Sequence, residues 1–123
     1  MNKFLFGIVP VLFASNAAGQ TFIGHFSTVT ESECNYEIIL SSSGQGEFLE
    51  TCRREDGSGV DDIEKQNITW IHKNDVITAT IGGSEQHFEY VVSLSCSSFG
   101  SKGASDGLVG YGMQFWRAPI KCK

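Results

Sequence analysis

Four cysteines, three histidines and 14 carboxylates are the side chains of this 123-residue chain best suited to chemistry. Cys34, Cys52, Cys96 and Cys122 are separated by 18, 44 and 26 positions. A structural zinc site wants cysteines at CxxC-like spacing, or histidines at matching intervals, so that four ligands can close a tetrahedron. A thioredoxin-like centre wants CxxC itself. Neither spacing occurs. An even number of cysteines in a short secreted chain reads instead as a disulfide framework. Of the three possible pairings, Cys34–Cys52 with Cys96–Cys122 is favoured: the first pair faces across an inferred hairpin and the second pins the C-terminal tail.

His25, His72 and His87 fall on three different candidate strands and read as polar-face residues. A small hydrolase of the ribonuclease kind would need a histidine, a carboxylate and an arginine converging on one face. Glu37, Arg53 and His87 are the trio that would have to meet. GxSxG, HExxH and phosphate-loop motifs are absent from the sequence, and a nucleophilic thiol is disfavoured where cysteines are oxidised. The reading therefore assigns no catalytic residue, cofactor or metal ligand and expects binding, not catalysis.

The elements that would position these groups begin after residue 19. "MNKFLFGIVPVLFASNAAGQ" has a basic start at Lys3, an apolar run from Phe4 to Ala14 and small residues before Gln20, the layout of a secretory signal peptide. Cleavage after Gly19 is expected, with cleavage after Ala17 nearly equivalent. The run is too short for a membrane span, which needs roughly 20 apolar residues. Residues 20–123 then form one secreted domain, extracellular or, in a bacterium, periplasmic. Loss of Lys3 leaves eight Lys and Arg against 14 Asp and Glu, taking the net charge from −5 to −6. An acidic chain whose only adjacent basic pair is Arg53-Arg54 lacks the clustered positive charge that grips phosphates, which argues against nucleic acid and disfavours anionic membrane surfaces as partners.

Apolar and polar side chains alternate between turn signals along the domain, so the fold class expected is all-β: an antiparallel barrel or sandwich of about seven strands. The strands predicted are residues 21–29, 34–40, 46–52, 67–72, 76–81, 87–95 and 108–116. In the first, Phe22, Gly24 and Phe26 share a face. In the sixth, Phe88, Tyr90, Val92 and Leu94 align, and in the last Val109, Tyr111, Met113 and Phe115. Placing Cys34 opposite Cys52 pairs Tyr36 with Glu50, Ile38 with Phe48 and Leu40 with Gly46. A turn at Lys73-Asn74 sets Trp70 opposite Ile77 and Ile68 opposite Ala79.

Two segments read as loops that carry binding: the polar turn 55–62 and residues 97–107, part of the glycine series "FGSKGASDGLVGYG". That series reads equally as a flexible recognition loop or as a plain connection with strand bulges. "NIT" makes Asn67 an N-glycosylation acceptor on a solvent-facing position. The candidate binding surface is Asn35, Glu37, Thr51 and Arg53 on the outer side of the cysteine-bearing hairpin, with Lys102 and Asp106 from the glycine-rich segment.

A signal peptide, about one hundred mature residues, four cysteines and an acidic β domain together resemble the small secreted effector proteins of plant-pathogenic fungi. The likeness covers the whole chain through length, signal and cysteine count and implies a secreted binder acting on a host molecule. "FIGHF" before a cysteine-bearing hairpin also resembles small lipocalin-like barrels of bacterial periplasms, which implies a soluble inhibitor or immunity protein. The expected partner is an extracellular or host protein or carbohydrate, bound by a monomer that does not insert in membranes. The competing readings are a small secreted hydrolase and a carrier of apolar ligands, the latter requiring an interior cavity lined by Trp70, Phe88 and Phe115.

Overall fold

The computed structural model describes residues 21–29, 33–54, 56, 59, 61–98 and 101–119. Eight strands follow one another in chain order: β1 (Gly24–Ser27), β2 (Cys34–Leu40), β3 (Gln45–Arg53), β4 (Asp61–Lys73), β5 (Val76–Ile81), β6 (Ser84–Ser98), β7 (Ser101–Gly110) and β8 (Met113–Arg117). Each is antiparallel to the next, and β8 returns to pair with β1, so the meander closes into a barrel. Closure removes the sheet edges wherever neighbouring strands match in length.

Period-two alternation decides which residues fill the barrel. Phe26, Ile38, Leu40, Ile77, Phe88, Leu108 and Phe115 are at most 2% exposed, and Phe88 meets Phe115 edge to face at 5.8 Å. Burying each such side chain contributes about 1.5–3 kcal/mol. Phe88 and Phe115, the residues a ligand-carrying interior would need as walls, are the filling of a solid core. Trp70 is held at its rim, its indole N–H donating to the carbonyls of Ser41 and Gln45 at 3.0 and 2.8 Å.

The first hairpin has the register expected: Cys34 faces Cys52, Tyr36 Glu50, Ile38 Phe48 and Leu40 Gly46. The second differs by two residues. Its turn is Asn74-Asp75, not Lys73-Asn74, so Trp70 faces Ala79 and His72 faces Ile77. Asn74 takes φ 54°, a left-handed conformation that asparagine tolerates better than lysine. A two-residue slip leaves every side chain on its original face, so the apolar pattern cannot detect it.

Three further expectations are corrected. "LVGYGMQFW" is two strands, because Tyr111 (φ 58°) and Gly112 (φ 71°) form a turn. Phe115 alone of the aligned set is fully buried, Met113 packs at the margin, and Val109 and Tyr111 are exposed. Second, residues 97–107 are not an open loop: all of them outside positions 99 and 100, which lie beyond the described residues, belong to β6 or β7. Gly107 is required within β7, since a Cβ there would collide with the backbone carbonyl of Phe115. Third, a bulge between Val91 and Leu94 reverses the alternation of β6. Val92 is thrown into solvent at 76% exposure, and Leu94 and Cys96 emerge on the outer face, where with Val91 and Trp116 they form a second apolar cluster.

Candidate functional site: a crevice at the barrel seam

The two ends of the barrel differ in how they are closed. At the end where β1 begins, Phe22 packs its ring against His72 at 4.8 Å and Tyr90 at 5.2 Å. His72 thus faces inward among aromatic rings and is not a polar-face residue; its Nδ1 has no hydrogen-bond partner among the described residues. Arg117, from β8, stacks 4.6 Å above the Phe26 ring, donates to Asp106 at 2.7 Å, and reaches the carbonyls of Ile23 (3.0 Å) and Thr21 (2.6 Å). Asp106 also accepts from the Tyr90 hydroxyl at 2.8 Å. Burial and that hydrogen bond to Asp106 push the Tyr90 pKa above its ordinary value, with Arg117 opposing.

At the other end the seam opens. Pairing between β1 and β8 stops at Ser27 opposite Trp116. Thr28 then turns toward β2: its N–H donates to the Tyr36 carbonyl at 3.0 Å, and its hydroxyl accepts from the Tyr36 N–H at 3.1 Å. The chain therefore leaves β8 while β8 continues toward its hairpin with β7. The gap is a crevice of about 480 Å³ lined by Thr28, Val29, Tyr36, Met113, Gln114 and Trp116, with Cys34, Val109 and Gly112 at its margins.

Its chemistry is neutral, with polar and apolar surface in similar measure. Thr28, Tyr36 and Gln114 supply polar side-chain groups, and no lining residue carries a charge. The Glu50 carboxylate opposite Tyr36, with burial adding to it, raises the Tyr36 pKa. Tyr111, 41% exposed in the β7–β8 turn, packs edge-on against Phe48 at 5.3 Å beside the mouth. Three of the seven exposed large apolar residues among those described, Val29, Val109 and Tyr111, lie in or next to this crevice. Carboxylates surround it: Glu33 precedes Cys34 in the chain, Glu50 pairs with Tyr36, and Glu89 pairs with Val109.

The residues singled out from sequence are dispersed. Asn35 and Thr51 are register partners on the outer face of β2 and β3, with Glu37 and Arg53 two positions along on either side. These four do share a panel. Glu37 is engaged there, its Oε1 2.5 Å from His25 Nε2. Lys102 is exposed on β7 at the opposite end of the barrel, and Asp106 is no surface group but the half-buried partner of Arg117 and Tyr90. Glu37, Arg53 and His87 do not converge: His87 lies on β6 and meets Thr78 at 3.0 Å, halfway around the ring from β2.

Cys34 and Cys52 are disulfide-bonded across directly opposed positions. Cys96 is disulfide-bonded too, and Cys122, the partner expected for it, lies outside the described residues. So do residues 1–20, which include the expected signal segment, and positions 55, 57, 58 and 60 of the polar turn. Asn67 is exposed on β4, as expected for an accessible sequon, and lines a separate depression of about 210 Å³ with Thr69, Thr80 and Gly82.

Sequence reasoning missed the crevice because its walls were assigned to the core or to an unbroken strand. The usable signals were local ones: the polar run that ends β1 early, and Tyr111 between two glycines. Comparison with protein-family models, with curated proteins and with solved structures finds no match.

Proposed function

We propose that this chain is a small secreted binding protein, inhibitor- or effector-like, that acts on a protein outside the cell by receiving an apolar side chain of its partner in the seam crevice. The observation that carries this reading is the crevice together with the exposed Val29, Val109 and Tyr111 around it. A clustered apolar surface with a concave centre is where interface hot spots form. About 480 Å³ is within the range of sites that hold a ligand group. The polar side chains of the lining, Thr28, Tyr36 and Gln114, are few for a sugar, whose hydroxyls each need a partner when desolvated, so a protein anchor fits better than a carbohydrate. The flanking Glu33, Glu50 and Glu89 favour a partner that is basic around that anchor.

The secretory route follows from the signal-like first 19 residues and is consistent with oxidised cysteines. In a eukaryotic host Asn67 would carry its glycan over a depression other than the crevice. The non-catalytic reading is supported by the dispersal of the three histidines, two paired on opposite outer faces and one among aromatic rings.

The test is capture and identification of the partner from the fluid into which the protein is secreted, followed by affinity measurements on Gln114→Arg and Val109→Arg. Both positions are exposed on the crevice side, so the fold should survive, as circular dichroism would verify. Loss of a central anchor costs about 2 kcal/mol or more, so affinity should fall about 30-fold. Thr80→Arg, elsewhere on the wall, should bind as wild type. If the crevice variants keep full affinity for a partner that binds the wild type, the site is wrong.

A further inference from the structure

β4 runs on where β5 stops. Their pairing extends from Lys73 opposite Val76 to Thr69 opposite Thr80, and β5 then turns into β6 at Gly82-Gly83. Both glycines have positive φ, 62° and 81°, as a two-residue hairpin turn of the primed kind needs, and a Cβ on either would meet nothing within 4 Å. Asn67, two residues beyond Thr69, stands where β4 passes this turn. The Gln66 side chain sets the spacing between them, its Oε1 accepting from the Gly82 N–H at 2.8 Å. Between strand and turn lies the depression of about 210 Å³, a notch that Gln45 lines together with Gln66, Asn67, Thr69 and Thr80.

Gln45, Thr69 and Thr80 form one row across β3, β4 and β5, each opposite the next and all exposed. Period-two alternation sets Asn67 on the same outer face as this row. None of the three side chains is committed to a hydrogen bond among the described residues, and no charged side chain lines the notch. A free amide and two free hydroxyls beside strand and turn carbons suit a neutral ring that has polar edges and C–H faces, which is the chemistry of a sugar. The volume takes one such ring. Asn67 heads the acceptor triplet Asn67-Ile68-Thr69, so the lining itself includes the point at which a sugar is attached.

We infer that, when the chain passes through a eukaryotic secretory pathway, Asn67 carries an N-linked glycan whose first N-acetylglucosamine is seated in this notch as part of the fold. In the transfer Asn67 Nδ2 bonds to the anomeric carbon of the sugar. The bond from that carbon to a lipid-linked diphosphate breaks, its electron pair leaves on the diphosphate, and one Nδ2 proton passes to base. Seating then needs few contacts, because the tether makes the encounter intramolecular and keeps the local sugar concentration high. Gln45 and Thr80 hold the hydroxyl and acetamido groups, and the remaining sugars project into solvent. The notch lies on the β3–β5 arc and the crevice on the arc from β8 to β2, so the inference does not rest on the partner reading.

Expression in a eukaryotic secretory host, with urea unfolding as the readout, tests the assignment. Peptide mass mapping should find a glycan on Asn67. Trimming it to the first sugar with an endoglycosidase should leave the urea midpoint unchanged. Asn67→Gln, at an exposed position, should lower the midpoint, with the folding constant reduced about fivefold, the worth of one net hydrogen bond. Gln45→Ala with Thr80→Val should remove that gain from the glycosylated chain and change the Asn67→Gln chain little. Amide exchange at Thr80 and Gly82 should be slower with the sugar than without it. An unmodified Asn67 overturns the inference. So does a sugar that alters neither stability nor exchange, or a gain that survives the two notch substitutions. A midpoint of Asn67→Gln raised equally by millimolar free N-acetylglucosamine marks a lectin site instead and also overturns it.

Discussion

Two ribbons outrun their neighbours at opposite ends of this barrel, and they solve the same problem differently. The β3–β4 ribbon extends past the end of β5, from Asp61 to Asn67 on its free side, and the β6–β7 ribbon extends past the beginning of β5. The first overhang is three-stranded, because β2 accompanies β3 as far as Cys34 opposite Cys52, whereas the second is two-stranded, and a two-stranded ribbon is marginal in water on its own. Each overhang has a cysteine that is oxidised: Cys52, tied to β2, in the first, and Cys96 in the second. The staples stand where sheet neighbours run out. They differ in what lies between staple and barrel. The first ribbon leans on ions, with Lys65 placed 2.7 Å from Glu47 on the barrel side of the staple and Arg54 donating to Asp62 at the staple's outer side. The second leans on packing, through Leu94, Trp116 and the Trp116 indole N–H to the Leu94 carbonyl at 3.3 Å. Exposed ion pairs contribute little, so the first ribbon depends on its disulfide more than the second does.

The largest effect should come from removing that disulfide. Cys34→Ala with Cys52→Ala frees a loop of 18 residues, and the chain-entropy model puts the loss at about 3 kcal/mol, measurable as a lower urea midpoint. Amide exchange should accelerate in β3 and the first half of β4, with β6–β7 little changed. Equal acceleration in both ribbons would remove the distinction between them. Next comes the root of the second ribbon. Arg117→Met leaves Asp106 with only the Tyr90 hydroxyl and releases two backbone carbonyls, at a cost of about 2 kcal/mol. Here exchange should rise in β7 and β1 rather than in β3–β4. The smallest effect is alkaline. Tyr36, beside the first ribbon, and Tyr90, at the root of the second, both have folded pKa values above 10.0. The unfolded chain loses these protons first, so their contribution is complete below pH 10 and is lost as pH rises through the folded values. Stability measured against pH should decline above 10, and tyrosinate absorbance should appear later in the folded protein than in its urea-unfolded form.

How much of this was legible beforehand depended on whether the sequence pattern could sense the relevant contact. The β2–β3 pairing was legible in full, because cysteines at both ends and apolar residues at alternate positions allow one register. The β4–β5 pairing was legible only to within two residues, since any even slip buries the same face. The β6 bulge and the Tyr111 turn were not legible: both interrupt runs whose alternation reads smoothly, and a tyrosine is an uncommon occupant of left-handed backbone. Asp106 looked like a loop carboxylate because its partners, Tyr90 and Arg117, stand on the strands either side of β7, a strand whose first half the sequence pattern did not show. The crevice depends on where β1 parts from β8, a property of two strands more than eighty residues apart that no local period records.

The clasp made by Arg117 also sets an order of events in time. Its bond to the Ile23 carbonyl spans 94 residues, the longest separation of any side-chain hydrogen bond described except the adjoining one to Thr21. Hairpins can form one after another as the chain emerges, but the ring cannot close until β8 has been made, and contacts this remote pay their loop entropy last. Until that moment both flanks of the growing sheet stay open. For a chain that crosses a membrane in extended form, as proposed, a barrel that needs β8 for closure stays threadable until β8 has been made.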